Sequence, residues 1–403
     1  MSTTSATWFA PGRANLMGEH TDYNDGLVLP FALGQGVTAT ATARGDGLLV
    51  MRSKQMSSGG AGMLPGDSVT SAVAALEPGS VVGWAAYPAG VVWALAQAGY
   101  PVPGASIDID SDLPVGAGVS SSAALECSVA LALCDVGGYE VGRRELAAIA
   151  RRAENEFVGA PTGMIDQSAS LLCQAGHAML LDCGTREIRQ VPFCPGPYGM
   201  VTLVINTGVP HALSDGQYAV RRAECEEAAR QLGVPALGQI APPYGVDTGS
   251  RLRGLADPAL RKRARHVLTD CARARAIADL LGGTARSGAG PGGAAVSGRG
   301  PGGTGHDVYR MIGELLTEGH ASLSDDFAVS WDEADAAVET AIAAGAFGAK
   351  MIGGGFGGSV LALVAADQVA AVRSAIRAEF KLRTWGAPEF LDVVPSPAAH
   401  KLS

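Results

Sequence analysis

A dense group of polar side chains lies near the start of the chain, in the segment WFAPGRANLMGEHTDYN at residues 8–24. Its candidate ligand-binding groups are Arg13, Asn15, Glu19, His20, Asp22 and Tyr23. Leu16 and Met17 interrupt these groups and have the character of buried residues. A sugar hydroxyl both donates and accepts hydrogen bonds, so this mixture of donors and acceptors suits a polyhydroxylated ligand. The segment predicts a polar binding site, with a solvated loop as the alternative.

A second candidate site is the segment LPVGAGVSSSAALECSVALAL at residues 113–133. Its loop and hydroxyl residues are Gly116, Ala117, Gly118, Val119, Ser120, Ser121 and Ser122. The apolar run that follows predicts a buried helix, whose N-terminus offers unpaired N–H groups and the positive end of the helix dipole. The segment therefore predicts a phosphate site, with an ordinary capped helix as the alternative. Because no lysine follows the glycines, a nucleotide here would depend on backbone amides, hydroxyls and a metal ion.

Two carboxyl groups further along the chain are candidates for catalysis and metal binding. Asp166, in the turn GAPTGMIDQS, is a candidate general base or electrostatic anchor, especially if a cation such as Arg13 lies beside it, and a helix cap is the alternative. Glu154, on a predicted amphipathic helix, is a candidate metal ligand or a solvated helix charge. Tyr218 lies in the first turn of another predicted helix, where a packing role is the alternative.

Regular elements are predicted around these candidates. Apolar and alternating patterns predict strands at residues 27–43, 105–110, 200–206 and 390–394, and helices at 84–98, 143–158, 259–282 and 331–346. The order strand, glycine loop, helix at 105–133 is the context that an anion site needs. Residues 353–358, GGGFGG, stand before a further strand. The glycine- and proline-rich residues 282–305 are expected to form a mobile surface insertion.

Composition and charge limit the classes of function. The chain has 403 residues, of which 47% are hydrophobic and 17% charged, and a formal net charge of −9. We expect two domains, at residues 1–195 and 196–403, no nucleic-acid partner and no membrane segment. Seven cysteines without a paired spacing, together with an N-terminus that lacks the features of a signal peptide, predict a cytoplasmic protein without structural zinc. We also expect a monomer.

Three separated motifs resemble, in order, the three signatures of the GHMP small-molecule kinases: GRANLMGEHTDYNDG, LPVGAGVSSSAALE and GGGFGGS. The first is most similar to the galactokinase signature. The resemblance extends to PTGMIDQ and YAVRRAECEEAA. It implies an α+β protein with an N-terminal mixed domain like that of ribosomal protein S5, a ferredoxin-like C-terminal domain and an active site between them. It also implies transfer of phosphate from ATP to the anomeric hydroxyl of α-D-galactose.

The resemblance also implies roles for individual residues. Arg13 and Asp166 match the catalytic pair. The residues that match sugar contacts are Glu19, His20, Asp22, Gly163 and Tyr218. The motif at residues 116–122 matches the phosphate loop, and Ser121 and Glu154 match ligands of Mg²⁺. A kinase for a related sugar, such as N-acetylgalactosamine or arabinose, and a non-catalytic galactose sensor remain the alternatives.

Overall fold

The computed structural model describes residues 4–55, 68–114, 116–210, 216–284 and 305–403. The insertion predicted at 282–305 therefore lies outside the described residues, apart from its two ends. The strands are β1 Ser5–Asn15, β2 Leu27–Val28, β3 Pro30–Ala43, β4 Leu48–Ser53, β5 Ser68–Ala72, β6 Ala105–Ser111, β7 His177–Asp182, β8 Ile188–Pro192, β9 Met200–Asn206, β10 Gly348–Ile352, β11 Ser359–Ala365, β12 Glu389–Val393 and β13 His400–Lys401. The α-helices are α1 Ala86–Gln97, α2 Ser121–Gly137, α3 Arg143–Arg152, α4 Ile165–Leu172, α5 Gln217–Leu232, α6 Pro258–Thr284, α7 Gly305–Ser322, α8 Asp332–Ala343 and α9 Val369–Leu382.

Three sheets organise the described residues. The largest has the strand order β13-β1-β3-β6-β4-β5, in which only the β4–β6 pair is parallel. The second, β10-β11-β9-β12, is antiparallel throughout, and the third is β2-β7-β8. Because β13 pairs with β1, the end of the chain returns to the first sheet. These sheets and the packed helices confirm the predicted α+β class.

Helix α2 is buried against the first sheet, where it contacts β1 and β3. Its sequence is rich in alanine and leucine, which are strong helix formers, and its apolar residues occur on nearly all sides, as a buried helix requires. The N-terminus of α2 starts directly after the glycine loop that follows β6. The predicted order of strand, loop and helix is therefore present in the structure.

Two features of the fold differ from the sequence-based expectation. The apolar stretch at 27–43 forms two strands, β2 and β3, that belong to different sheets. The chain passes from one sheet to the other at Leu29, whose N–H donates to the carbonyl of Met17 at 2.9 Å. The expected elements do not include helix α7, although Val308, Ile312 and Leu315 recur at helical spacing in the sequence. Helix α7 packs against β10 and α6, so it belongs to the core beneath the second sheet.

No α-helix among the described residues is both long enough and apolar enough to span a bilayer.

Candidate active site

A shift in the pairing of β1 with β3 sets the position of Arg13. The pairing of β1 with β3 shifts register between Pro11 and Arg13, and the backbone N–H of Arg13 donates to the carbonyl of Val119 at 3.1 Å. A Cβ at Gly12 would lie 2.6 Å from that carbonyl oxygen, so only glycine lets β1 approach the glycine loop this closely. The register shift and the close approach at Gly12 therefore bring Arg13 beside the start of α2.

The guanidinium of Arg13 joins two parts of the site. Its Nε donates to Asp166 Oδ1 at 2.8 Å, and its Nη1 donates to the carbonyl of Gly118 at 2.7 Å. Arg13 is 7% exposed, and the side chain of Asp166, at the start of α4, is 19% exposed. Asp166 is thus ion-paired, accessible to a small ligand and one side chain away from the loop predicted to bind phosphate.

The start of α2 presents the three consecutive hydroxyls in different environments. Ser120 has a left-handed backbone, with φ of 60°, and among the described residues its buried Oγ has no hydrogen-bond partner. Ser121 is exposed, whereas Ser122 donates to Glu154 Oε1 at 2.9 Å. The unpartnered hydroxyl and the first N–H groups of the helix, which have no intrahelical partner, are hydrogen-bond donors of the kind that an anion requires.

The third glycine motif lies against the loop before α2. Ser359, which follows this motif, donates its hydroxyl to the carbonyl of Ala117 at 2.7 Å, and Thr207 donates to the carbonyl of Gly358 at the same distance. A Cβ at Gly353 would lie 3.1 Å from the carbonyl oxygen of Gly118. The second sheet thereby supports the loop at the start of α2.

One cavity brings all the predicted sugar contacts together. Its lining residues are Arg13, Asn15, Gly18, Glu19, His20, Asp22, Thr162, Gly163, Ile165, Asp166, Tyr218, Gly353 and Gly354. All five predicted sugar contacts and both members of the predicted catalytic pair are among them. Most of the lining residues other than glycine carry polar or charged side chains, and they come from β1 and the segment after it, the turn before α4, α4, α5 and the glycine motif after β10.

His20 and Tyr218 form an aromatic wall of this cavity. His20 Nε2 donates to the carbonyl of Gly354 at 3.1 Å, and its Nδ1 lies 2.9 Å from the hydroxyl of Tyr23. The rings of His20 and Tyr218 lie 5.1 Å apart between centroids, and Phe327 packs on His20 at 4.7 Å. These contacts fix the imidazole through both nitrogens and one face.

Asp22 has an unusual electrostatic environment. It is 9% exposed, and burial, with the nearby charge of Asp166 as a second cause, raises its pKa from 3.8 to about 6. Its carboxylate lies against Gly163, where an added Cβ would be 1.6 Å from Oδ2. The close approach of Gly163 leaves no room for another side chain between Asp22 and the turn before Asp166.

Glu154 is buried, at 1% exposed, and its carboxylate is held by three donors. Oε1 accepts from Ser122 at 2.9 Å, and Oε2 accepts from the Thr162 hydroxyl at 2.7 Å and from the Gln167 amide at 2.8 Å. Burial raises the pKa of Glu154, and these three donors act against that shift. Gln167 also donates to Glu126 Oε2 at 2.9 Å, so one amide joins two buried carboxyl groups.

The oxygen atoms of Glu154 and of the nearby serines are ligands that suit a hard cation. Among the residues that the structure describes, no group of three or more His, Cys, Asp and Glu side chains could hold a metal ion. A carboxylate oxygen and serine hydroxyls beside the predicted phosphate site instead match the preference of Mg²⁺, which binds few protein oxygens together with substrate phosphates. The exposed hydroxyl of Ser121 and the carboxylate of Glu154 remain the predicted ligands.

Two charged residues that support the site, Lys350 and Glu126, were not predicted from the sequence. Glu19 Oε2 lies 2.5 Å from Nζ of Lys350, which is fully buried, and Glu126 lies beneath Glu154. Each of the two missed charges stood out in the sequence: Glu126 is the only charged residue at 121–133, and Lys350 the only one at 340–366. A single charge inside an apolar run is costly to bury, so it usually has a partner.

Family models match three parts of the chain. Residues 2–43 match the galactokinase galactose-binding signature, 86–174 the N-terminal domain of GHMP kinases, and 307–382 the C-terminal domain of GHMP kinases. The matches cover the polar segment at the start of the chain, the glycine loop with α2, and the helices and strands around the third glycine motif.

Similar proteins were found along nearly the whole chain. A galactokinase of Streptomyces coelicolor is 45% identical over 98% of this chain and 94% of its own length. One of Mycobacterium tuberculosis is 40% identical over 93% of each. The crystal structure of Lactococcus lactis galactokinase complexed with galactose is 30% identical, with a TM-score of 0.85, and covers 99% of this chain and 95% of that one. A mevalonate kinase structure, at 13% identity and a TM-score of 0.60, shares the fold.

Proposed function

Because this chain belongs to the galactokinases, a family of the GHMP kinases, we propose that it transfers the γ-phosphate of ATP to the anomeric hydroxyl of α-D-galactose. The products are galactose 1-phosphate and ADP. The observation that carries this proposal for the present chain is the double contact of Arg13 with Asp166 and Gly118. This double contact holds the carboxylate of Asp166 at the sugar cavity, with only the side chain of Arg13 between Asp166 and the loop at the start of α2.

In this proposal the sugar occupies the cavity lined by Glu19, His20, Asp22, Gly163 and Tyr218. Carboxylates accept hydrogen bonds from sugar hydroxyls, and the His20 and Tyr218 rings provide an apolar face for the C–H groups of the sugar. The anomeric hydroxyl points toward Asp166. A substrate with fewer hydroxyls would leave some of these buried acceptors without partners, which disfavours a dihydroxy acid such as mevalonate.

ATP binds with its phosphates at residues 116–122, where the N–H groups of α2 and the hydroxyl of Ser120 face the anion. Glu154 and Ser121 would hold Mg²⁺ there. When bound, Mg²⁺ neutralises the charge that develops on the phosphate oxygens. The hydrogen bonds from Ser122, Thr162 and Gln167 hold the Glu154 carboxylate in one orientation for that purpose.

Asp166 accepts the proton of the anomeric hydroxyl while the anomeric oxygen of the sugar forms a bond to the γ-phosphorus. The bond between the γ-phosphorus and the bridging oxygen breaks, and ADP leaves with that oxygen. Arg13 stabilises the ionised form of Asp166 and lies close to the transferring group. Most of the rate enhancement comes from alignment and charge stabilisation, as expected for phosphoryl transfer.

A coupled assay of ADP release over a panel of sugars tests the proposal. The panel contains galactose, N-acetylgalactosamine, arabinose and mevalonate, and phosphorus NMR identifies the product. We expect galactose to give the highest kcat/KM and an α-linked 1-phosphate. Faster turnover of another sugar would reassign the substrate, and binding of galactose without ADP release from any sugar would favour the sensor.

A further inference from the structure

A buried ion pair connects the sugar cavity to the second sheet. Lys350 lies in the middle of β10 and is 0% exposed, and its Nζ lies 2.5 Å from Oε2 of Glu19, which is 4% exposed. The same Nζ also lies 3.4 Å from the carbonyl oxygen of Asn15. Glu19 lines the cavity, whereas Lys350 is not among its lining residues. Lys350 can therefore affect a ligand only through Glu19 or its neighbours.

Fold stability alone does not account for this pair. Removing two charges from water costs about as much as their attraction returns, and an apolar pair of similar volume is often as stable. Only one oxygen of Glu19 is used by Lys350. The other, Oε1, is buried and has no hydrogen-bond partner among the described residues. A buried carboxylate oxygen without a donor is unfavourable unless a ligand supplies one.

The charge balance around the cavity gives Lys350 a specific task. The lining includes the carboxylates of Glu19, Asp22 and Asp166, and Arg13 is engaged by Asp166. Burial raises the pKa of Glu19, and Lys350 acts most strongly against that shift.

The other groups that face Glu19 contribute less. Asp270 raises the pKa of Glu19 further, and Arg13 lowers it. His266, on α6, donates from Nε2 to the backbone carbonyl of Glu19 at 3.0 Å and does not contact the carboxylate. Without Lys350, the neutral form of Glu19 would be favoured.

We propose that Lys350 is a positioning residue for sugar binding, which keeps Glu19 ionised and oriented so that Oε1 accepts a hydrogen bond from a hydroxyl of the bound sugar. This inference rests on the proposed function for its substrate. In this inference β10 contributes to substrate affinity through Lys350. That contribution is separate from the support that the glycine motif after β10 gives to the loop at the start of α2.

The test compares Lys350→Met, Lys350→Arg and the control Lys381→Met, which changes an exposed lysine on α9. We expect Lys350→Met to raise the KM for galactose at least tenfold at pH 7 and to leave the KM for ATP within twofold. In Lys350→Met, the pH below which the galactose KM rises should be at least one unit higher than in the wild type. Lys350→Arg should retain most of the affinity and the original pH profile, and Lys381→Met should match the wild type.

A double variant, Glu19→Gln with Lys350→Met, leaves no buried charge at this position and can be compared with Glu19→Gln alone. The proposal requires both to have the same galactose KM, because Lys350 acts through Glu19. It is overturned if adding Lys350→Met weakens galactose binding further, or if Lys350→Met raises both KM values equally and leaves the pH profile unchanged. If Lys350→Met does not fold, the double-variant comparison decides.

The outcome is separable from that of the proposed function. If the wild type turns over another sugar faster than galactose, the substrate assignment fails, and the same variants are compared with that sugar. If the wild type releases no ADP with any sugar, galactose binding is measured by calorimetry. Equal affinities in wild type and Lys350→Met would then overturn the role of Lys350.

Discussion

Arg13 and Asp166 are 153 residues apart in the chain, yet Nε of Arg13 lies 2.8 Å from Oδ1 of Asp166. The pair forms where the register of β1 against β3 shifts between Pro11 and Arg13, and Nη1 of the same guanidinium donates to the carbonyl of Gly118. Four variants, each tied to one contact in the site, test how this arrangement works.

Asp166→Asn tests proton transfer. Asparagine keeps an oxygen that can accept from Arg13 but cannot take a proton from the sugar. We expect kcat to fall by about 10²–10⁴-fold, while galactose affinity changes by about threefold or less. ADP-release kinetics and calorimetry measure the two quantities. Asp279→Asn, at an exposed carboxylate on α6, is the control, and near-normal turnover of Asp166→Asn would remove Asp166 from the chemical step.

Glu154→Gln tests the metal site. The amide preserves the volume and can still hydrogen-bond Ser122 and Thr162, but it removes the charge that attracts Mg²⁺. We expect the Mg²⁺ concentration for half-maximal activity to rise by about tenfold or more, with galactose affinity unchanged. Glu156→Gln, two residues away and exposed, is the matched control. Equal Mg²⁺ dependence in both variants would contradict the assignment of Glu154.

Asp22→Asn tests the raised pKa of Asp22. The folded carboxyl has a pKa of about 6 against an ordinary value of 3.8, so its contribution to stability is full below 3.8 and is lost as the pH rises through 6. Between pH 5 and pH 8 this group should lower the free energy of unfolding of the wild type by about 1 kcal/mol. Asp22→Asn should lack that decrease, whereas the exposed-site control Asp367→Asn should retain it. Urea denaturation at several pH values measures the free energy of unfolding of each variant. If that free energy falls between pH 5 and pH 8 by the same amount in Asp22→Asn as in the wild type, the prediction is wrong.

Gly163→Ala tests the packing of the turn before Asp166 against Asp22. The new methyl group would lie 1.6 Å from Asp22 Oδ2, so the carboxylate must move from its position in the cavity. We expect the galactose KM to rise by about tenfold or more, and the ATP KM to stay within about twofold. Gly142→Ala is the control, because nothing lies within 4 Å of a Cβ there and its φ is −63°. An unchanged galactose KM would show that Asp22 is not needed for sugar binding.

Local patterns in the sequence were enough for several parts of this protein. Glycines before three serines and an apolar run predicted the loop and α2, because a helix N-terminus and its dipole follow from local backbone geometry. The mixture of charged and polar groups around Leu16 and Met17 predicted a polar site, because such groups are costly near a core without a ligand or partner. The three motifs together identified the family.

Tertiary structure alone decided which side chains meet. Register and packing, which the local pattern does not encode, set the partner of Glu19 as Lys350, 331 residues later, and placed Gln167 between Glu126 and Glu154. The amino-acid order specified the groups able to carry charge. The fold then determined which of those charges were desolvated and paired, since desolvation and Coulomb energy depend on distances that arise only when the sheets and helices pack.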